Sequence, residues 1–200
     1  SVTSVLIDGQ VFSNFSFSGT KLTLTNAPGG EHVYTIKAGI NGYTVSGCVY
    51  ANGISTLEEL EAWRTKQIRA YTVLLNDIDA QGVTLAATDI WRSGVFDGLG
   101  HTISNFTMTS SFVGCFNGTG GVKNLQLVNF TQDCTAYSWD NKIGVICREN
   151  NGGKIENVLL KGELVNVPAG DHYGLISSTA GNNSVQRNVF AELTSDGTGN

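Results

Sequence analysis

The chain has 200 residues, a length for one or two domains, and its 12 Lys and Arg against 17 Asp and Glu give a net charge of −5. Only 14% of residues are charged while 40% are hydrophobic, and much of the polarity comes from Asn, Ser, Thr and 25 glycines; this suits an all-β extracellular or virion protein better than a cytosolic enzyme. No basic run offers clustered cations to phosphates, which argues against a nucleic-acid partner, and no apolar stretch reaches the length of a membrane span. The chain opens on Ser1 with neither a methionine nor a signal-like apolar run, as a processed or partial chain would.

Residues 1–52 alternate polar and apolar with turn punctuation. "KLTLTNAPGGEHVYTIKA" reads as two strands, Lys21–Thr25 and His32–Lys37, joined through Asn26–Gly30. With "SVLIDGQ", "FSNFSFSG" and "GYTVSGCVYA" they predict a small Ig-like β-sandwich.

Residues 53–70 hold the single predicted helix, Ser55 to about Ile68. Ser55-Thr56-Leu57-Glu58 reads as a capping box. Leu57, Leu60 and Trp63 follow at near-helical spacing, with acidic residues leading and basic ones trailing.

Residues 71–200 repeat. "FVGCF", "KIGVI" and "HYGLI" place Gly114, Gly144 and Gly174 at equal intervals, and "VKNLQL", "IENVLL" and "QRNVFA" place Asn124, Asn157 and Asn188 after them. "ISNFTM", with Asn105, continues the asparagine series one step earlier. Fixed-period self-similarity means stacked units that cannot bury their apolar faces alone. Strand-only units predict a parallel β-solenoid, with Cys115, Val145 and Leu175 in one column and Phe116, Ile146 and Ile176 in another. The asparagines are expected as a buried column at an inward corner, hydrogen-bonded rung to rung.

"LLNDIDAQG", "WRSGVFDGLGHTISNF", "FVGCF" and "GGVKNLQLVNF" together resemble the pattern of bacterial surface proteins carrying GLUG-type repeats, within the wider group of right-handed pectate-lyase-like β-helices. The resemblance runs from about Ile54 to Asn200. It departs at Phe112–Phe116, which lacks the second glycine, and in the last turn, where "TSDGTGN" gives no recognisable cap. It implies a right-handed parallel β-helix on a cell-surface or otherwise extracellular protein, and no fixed activity.

Several residues invite a chemical reading. Asp97, Gly98, Gly100 and His101 read as a turn entering a strand, with the carboxylate accepting from turn N–H groups. Asp77 and Asp79 in "NDIDA" are weak calcium candidates, expected on opposite faces of a strand end. Arg92, Lys123, Arg148, Lys154 and Arg187 are not tied by spacing to any carboxylate cluster, so a lyase-like base is not identified. Tyr137, Trp139 and Asp140, in the loop "TQDCTAYSWDNK", and Trp91 in "TDIWRSG" are the candidate ligand-binding residues, because aromatic faces beside carboxylates and amides suit sugar rings. The sequons at Asn14, Asn105, Asn117, Asn129 and Asn182 read as incidental in so Asn- and Thr-rich a chain. Of Cys48, Cys115, Cys134 and Cys147, none forms a Cys-x-x-Cys pair, which argues against zinc. They are buried small hydrophobes, or a Cys134–Cys147 staple in an oxidising compartment.

The resulting expectation is a small Ig-like sandwich (1–52), a capping helix (53–70) and a right-handed parallel β-helix (71–200) left open at its C-terminal end. No cofactor is implied. The expected function is non-catalytic display or adhesion at a cell surface, engaging a glycan or protein surface. A structural virion component (fibre, spike or capsid decoration) is the alternative, and a polysaccharide lyase the third reading. The open end calls for further solenoid or another subunit.

Overall fold

The computed structural model describes residues 2–19, 21–28, 30–38, 41–49, 52–66, 71–135, 143–167 and 173–195. They fall into two compact units, Ser1–Asn52 and Gly53–Asn200. Strands dominate both, and one helix occurs among the described residues.

In the first unit an antiparallel sheet runs in the order Gln10–Phe12, Val2–Ile7, Gly30–Ala38, Asn41–Val49. Val5 and Ile7 are its buried side chains among those described. Lys21–Leu24 belongs elsewhere: it turns back at Gly19 (φ +59°) to pair with Phe15–Ser18. The two strands read as joined through Asn26–Gly30 therefore have different partners.

The second unit is built from parallel strands in a curled sheet. Its longest ladder runs Thr72–Leu74, Val95–Asp97, Gly121–Asp133, Lys154–Val165, Val185–Ser195, with Asn52–Ile54 at its first edge. Thr102–Met108 pairs with the second half of Gly121–Asp133, and Ile78–Leu85 pairs with Thr102–Met108. A second parallel sheet runs Trp91–Arg92, Cys115–Asn117, Cys147–Asn151, Ser177–Ala180. Parallel register stacks equivalent side chains directly, so Phe96, Val122 and Ile155 make one fully buried column and Ile103, Leu127 and Leu160 another. Phe106 and Phe130 stack at 5.6 Å.

The helix is shorter than its pattern predicts, Leu57–Arg64, and its cap lies one residue later. Thr56 is the N-cap, because Glu59 stands three residues on and accepts from both the Thr56 and Ser55 N–H groups. Leu60 and Trp63 enter the core, where Trp63 packs on Phe96 at 4.6 Å. Two arginines follow them inside. Arg64 donates to the carbonyls of Phe112 and Ala86 and pairs with Glu61 at 2.9 Å. Arg92 lies over the Trp63 ring and donates to the carbonyls of Trp63, Arg64 and Lys66, closing the helix C-terminus. Burial, with the Arg64 charge nearby, brings Arg92 down to about 10, so it stays protonated at neutral pH.

Two expectations about register and pairing change. Gly144 does stand beside Gly174, but Cys115 pairs with Glu149 and Phe116 with Asn150. The columns Cys115–Val145–Leu175 and Phe116–Ile146–Ile176 therefore do not include their first members. The long ladder sets this register, with Gly121 opposite Lys154, and it outweighs a five-residue glycine motif. The Cys134–Cys147 staple is not formed, because Cys147 carries a free thiol in the core. Burial raises the Cys147 thiol well above its ordinary value, and Cys115 is pushed up to about 11, so both are protonated and unreactive at neutral pH. The side chain of Cys48 lies outside the described residues.

One interior column runs Leu85, Met108, Gln132, Leu164. The Gln132 side chain is fully buried, and neither end of its amide has a hydrogen-bond partner among the described residues. An unsatisfied buried polar group costs about 1–3 kcal/mol. Gln132→Met, similar in volume and flanked by Met108 and Leu164, is expected to raise stability by about that amount, read as a higher urea midpoint with an unchanged slope.

Candidate functional site

The long strands are not straight. Asn124 and Asn129 in Gly121–Asp133, and Asn157 and Asn188 in the two strands stacked on it, sit at φ between +51° and +55°. Asparagine tolerates this left-handed conformation better than other side chains with a Cβ. Each bend shifts the in–out alternation by one, so the buried positions run Val122, Leu125, Leu127, Phe130, Gln132 rather than strictly every second residue.

The bends carry amide ladders. Asn188 Nδ2 donates to Asn157 Oδ1 at 3.0 Å, Asn157 Nδ2 to Asn124 Oδ1 at 2.9 Å, and Asn124 Nδ2 to Asp97 Oδ1 at 3.0 Å. Asn105 belongs to a separate ladder, in which Asn129 donates to Asn105 and Asn105 to Asp79 Oδ1 at 2.9 Å. A third pair joins Asn166 to Asp133 at 3.0 Å. The ladders face outward, contrary to a buried inward corner: Asn105 and Asn124 are part-exposed, and Asn129, Asn157 and Asn188 are exposed. The reason is the bend itself, which turns the asparagine side chain away from the core while its apolar neighbours turn in.

Every ladder begins on an aspartate, and each aspartate also accepts a backbone N–H two residues on: Gln81 for Asp79, Leu99 for Asp97, Thr135 for Asp133. Asp97 is 2% exposed. Its Oδ2 accepts from Tyr71 Oη at 2.7 Å and faces Lys123 Nζ at 3.5 Å. Gly98 beside it is required by close approach, since a Cβ there would stand 2.4 Å from the Asn124 carbonyl oxygen. The stretch from Asp97 to His101 is thus a rung-to-rung junction. His101 Nδ1 lies 3.1 Å from Asp77 Oδ1, which also accepts the Thr102 N–H.

Of the cations left unassigned by sequence spacing, the fold brings Lys123, Arg148 and Arg187 to carboxylates, while Arg92 goes to main-chain carbonyls. Register places Asp97, Lys123, Glu156 and Arg187 in one column of alternating charge, with Arg187 at 3.8 Å from Glu156. Arg148 pairs with Asp89 at 2.9 Å and Glu149 at 3.0 Å and donates to Cys115 Sγ. Asp77 and Asp79, expected on opposite faces, share the exposed face, with Ile78 and Ala80 buried between and beyond them. Residues two apart in a strand point the same way. Both spend Oδ1 on neighbouring strands and turns, and among the described residues no three His, Cys, Asp or Glu side chains gather as a metal site. Trp91 is 39% exposed and lies in a strand rather than a loop. Tyr137, Trp139 and Asp140 lie outside the described residues.

Among the described residues, the outer face carries a larger and a smaller groove beside the ladders. The larger, about 600 Å³, runs along the ladder Asn124–Asn157–Asn188. Its other wall is the outward column Gln126, Leu159, Phe190, stacked in register. No charged side chain lines it. Phe190 is 68% exposed there. The smaller groove, about 430 Å³, is lined by Lys161, Glu163 and Glu192, with Lys161 and Glu192 paired at 2.7 Å. Sequence reasoning missed Phe190; the available signal was the residue two places after each ladder asparagine, Gln126, Leu159, Phe190. The chain matches no protein family, curated protein or solved structure with which it was compared.

Two outcomes follow from the ladders. Asn157→Gly keeps the left-handed bend and deletes the amide, whereas Asn157→Ala also forces a Cβ into that bend, at about 1 kcal/mol more. The expected order of melting temperature is wild type, Asn157→Gly, Asn157→Ala, with the first gap reporting the ladder and the second the backbone. The carboxyls of Asp77, Asp79 and Asp133 are held below the usual range, first by Thr102 N–H, the Asn105 amide and the Thr135 hydroxyl respectively. A lowered folded pKa gives stability that is present above the unfolded value, about 3.9, and is lost as pH falls through the folded one. Melting temperature should therefore drop as pH falls below about 4, less steeply in Asp79→Asn.

Proposed function

We propose that Gly53–Asn200 is a right-handed parallel β-helix, that Ser1–Asn52 is a small Ig-like sandwich, and that the protein is a non-catalytic display or adhesion module of a cell surface. Parallel ladders whose partners lie about one repeat apart, a curled sheet and outward amide ladders support the helical reading. The observation that carries the function is the uncharged groove on a rigid, register-locked face. A stacked face of this kind is pre-organised, so a partner meets little ordering cost. The charged groups beside it are committed to one another: Lys123 to Asp97 and Arg187 to Glu156. That arrangement suits a scaffold better than a lyase, which needs a base and a carboxylate turned toward the same substrate atom.

A structural virion component is the second reading, favoured by the last rung. Leu175 is 56% exposed, one repeat on from Val145, which is 1% exposed, and the edge strand Val185–Ser195 has its described partner on one side only. Such an edge accepts further solenoid or another subunit.

Incubated with a panel of polysaccharides and with isolated cell-surface proteins, the purified chain is expected to bind saturably and leave polymer length unchanged by size-exclusion chromatography. Progressive shortening with unsaturated ends would replace this reading with the lyase. Absence of binding to either panel, with sedimentation showing a defined oligomer, would shift it to the virion component.

A further inference from the structure

We propose that the groove along Asn124, Asn157 and Asn188 takes a neutral saccharide chain; the inference rests on the binding-module reading and names its ligand. Charge decides first. The residue before each ladder asparagine from Asn124 on is charged (Lys123, Glu156, Arg187), yet none of these lines the groove. The adjoining groove holds Lys161 and Glu192. An acidic glycan or a nucleic acid gains nothing from a lining with no cation.

Apolar contact decides second. Phe190, 68% exposed, stands next to Leu159 at one wall. An aromatic face bounded by amides matches a pyranose ring, whose C–H face stacks while its hydroxyls hydrogen-bond at the edge. Each ladder amide has two N–H donors and commits one to the rung before it. Asn157 and Asn188 are exposed and keep the other for a ligand. The amides recur at the strand spacing, about 4.8 Å, so hydroxyls repeating along a chain meet the same donor repeatedly. A peptide strand fits less well. It adds along an unpaired sheet edge, whereas the groove crosses the sheet, and two of its three strands, Gly121–Asp133 and Lys154–Val165, are already paired on both sides. The volume, about 600 Å³, holds a few sugar units.

The test is isothermal titration of the full chain with cellohexaose, xylohexaose and mannohexaose against hexagalacturonate. At least one neutral hexasaccharide should bind, and hexagalacturonate should not. Phe190→Ala, at an exposed position, should weaken binding at least tenfold with an unchanged melting curve; Asn188→Asp, which places a charge in the groove and loses the ladder bond to Asn157, should weaken it as much, measured below its lowered melting temperature. Glu192→Gln, in the other groove, should bind as wild type. Binding of hexagalacturonate alone, or neutral binding indifferent to both groove variants, overturns this inference and leaves the module reading intact. Retention only of a cell-surface protein does the same. Failure of every glycan and every surface protein overturns both.

Discussion

The second unit depends on an asparagine that bends backward and bonds sideways. Asn124, Asn157 and Asn188 are left-handed, and their amides join one strand to the next. Without that conformation the strands would run straight, and Leu125 and Leu127 could not share a core with Val122. Without the amide bonds, a bend in one strand would have no reason to coincide with the bend in the next. A slip by one residue would expose a whole apolar column, so the ladder fixes both shape and register.

Parallel register then constrains the rest. Equivalent positions stack, so a charge repeated in phase would face its own kind. The column Asp97, Lys123, Glu156, Arg187 avoids this by alternating sign. In the interior the same rule rewards repetition, and Phe96, Val122 and Ile155 pile into one apolar column. The two most deeply buried arginines meet a different requirement. Arg92 closes the carbonyl end of a short helix, and Arg64 holds carbonyls of a distant loop. Each meets backbone groups that would otherwise be buried unpaired.

These constraints leave unequal traces in sequence. The asparagine repeat is plain because the bend and the ladder both demand that residue at that phase. The glycine motif misleads, because Gly114 and Gly144 recur for local close approach while the neighbouring long ladder sets the register. The burial of Arg64 and Arg92 leaves little trace, since apart from the Arg64–Glu61 pair their hydrogen-bond partners are main-chain carbonyls that any sequence supplies. The shared face of Asp77 and Asp79 is readable from strand alternation alone. The groove is half legible: its amide wall repeats, whereas Gln126, Leu159 and Phe190 share a position and no chemical type.

The amide chain also has a direction. Each asparagine gives a proton toward the earlier rung and offers its oxygen to the later one. An ionised aspartate has nothing to give, so it can stand only where the chain begins. Asp79, Asp97 and Asp133 occupy those places. A later asparagine changed to aspartate would face an oxygen with another oxygen and divide one continuous stack into two. The choice between two nearly isosteric side chains therefore works as punctuation, with a carboxylate opening each column and an amide extending it.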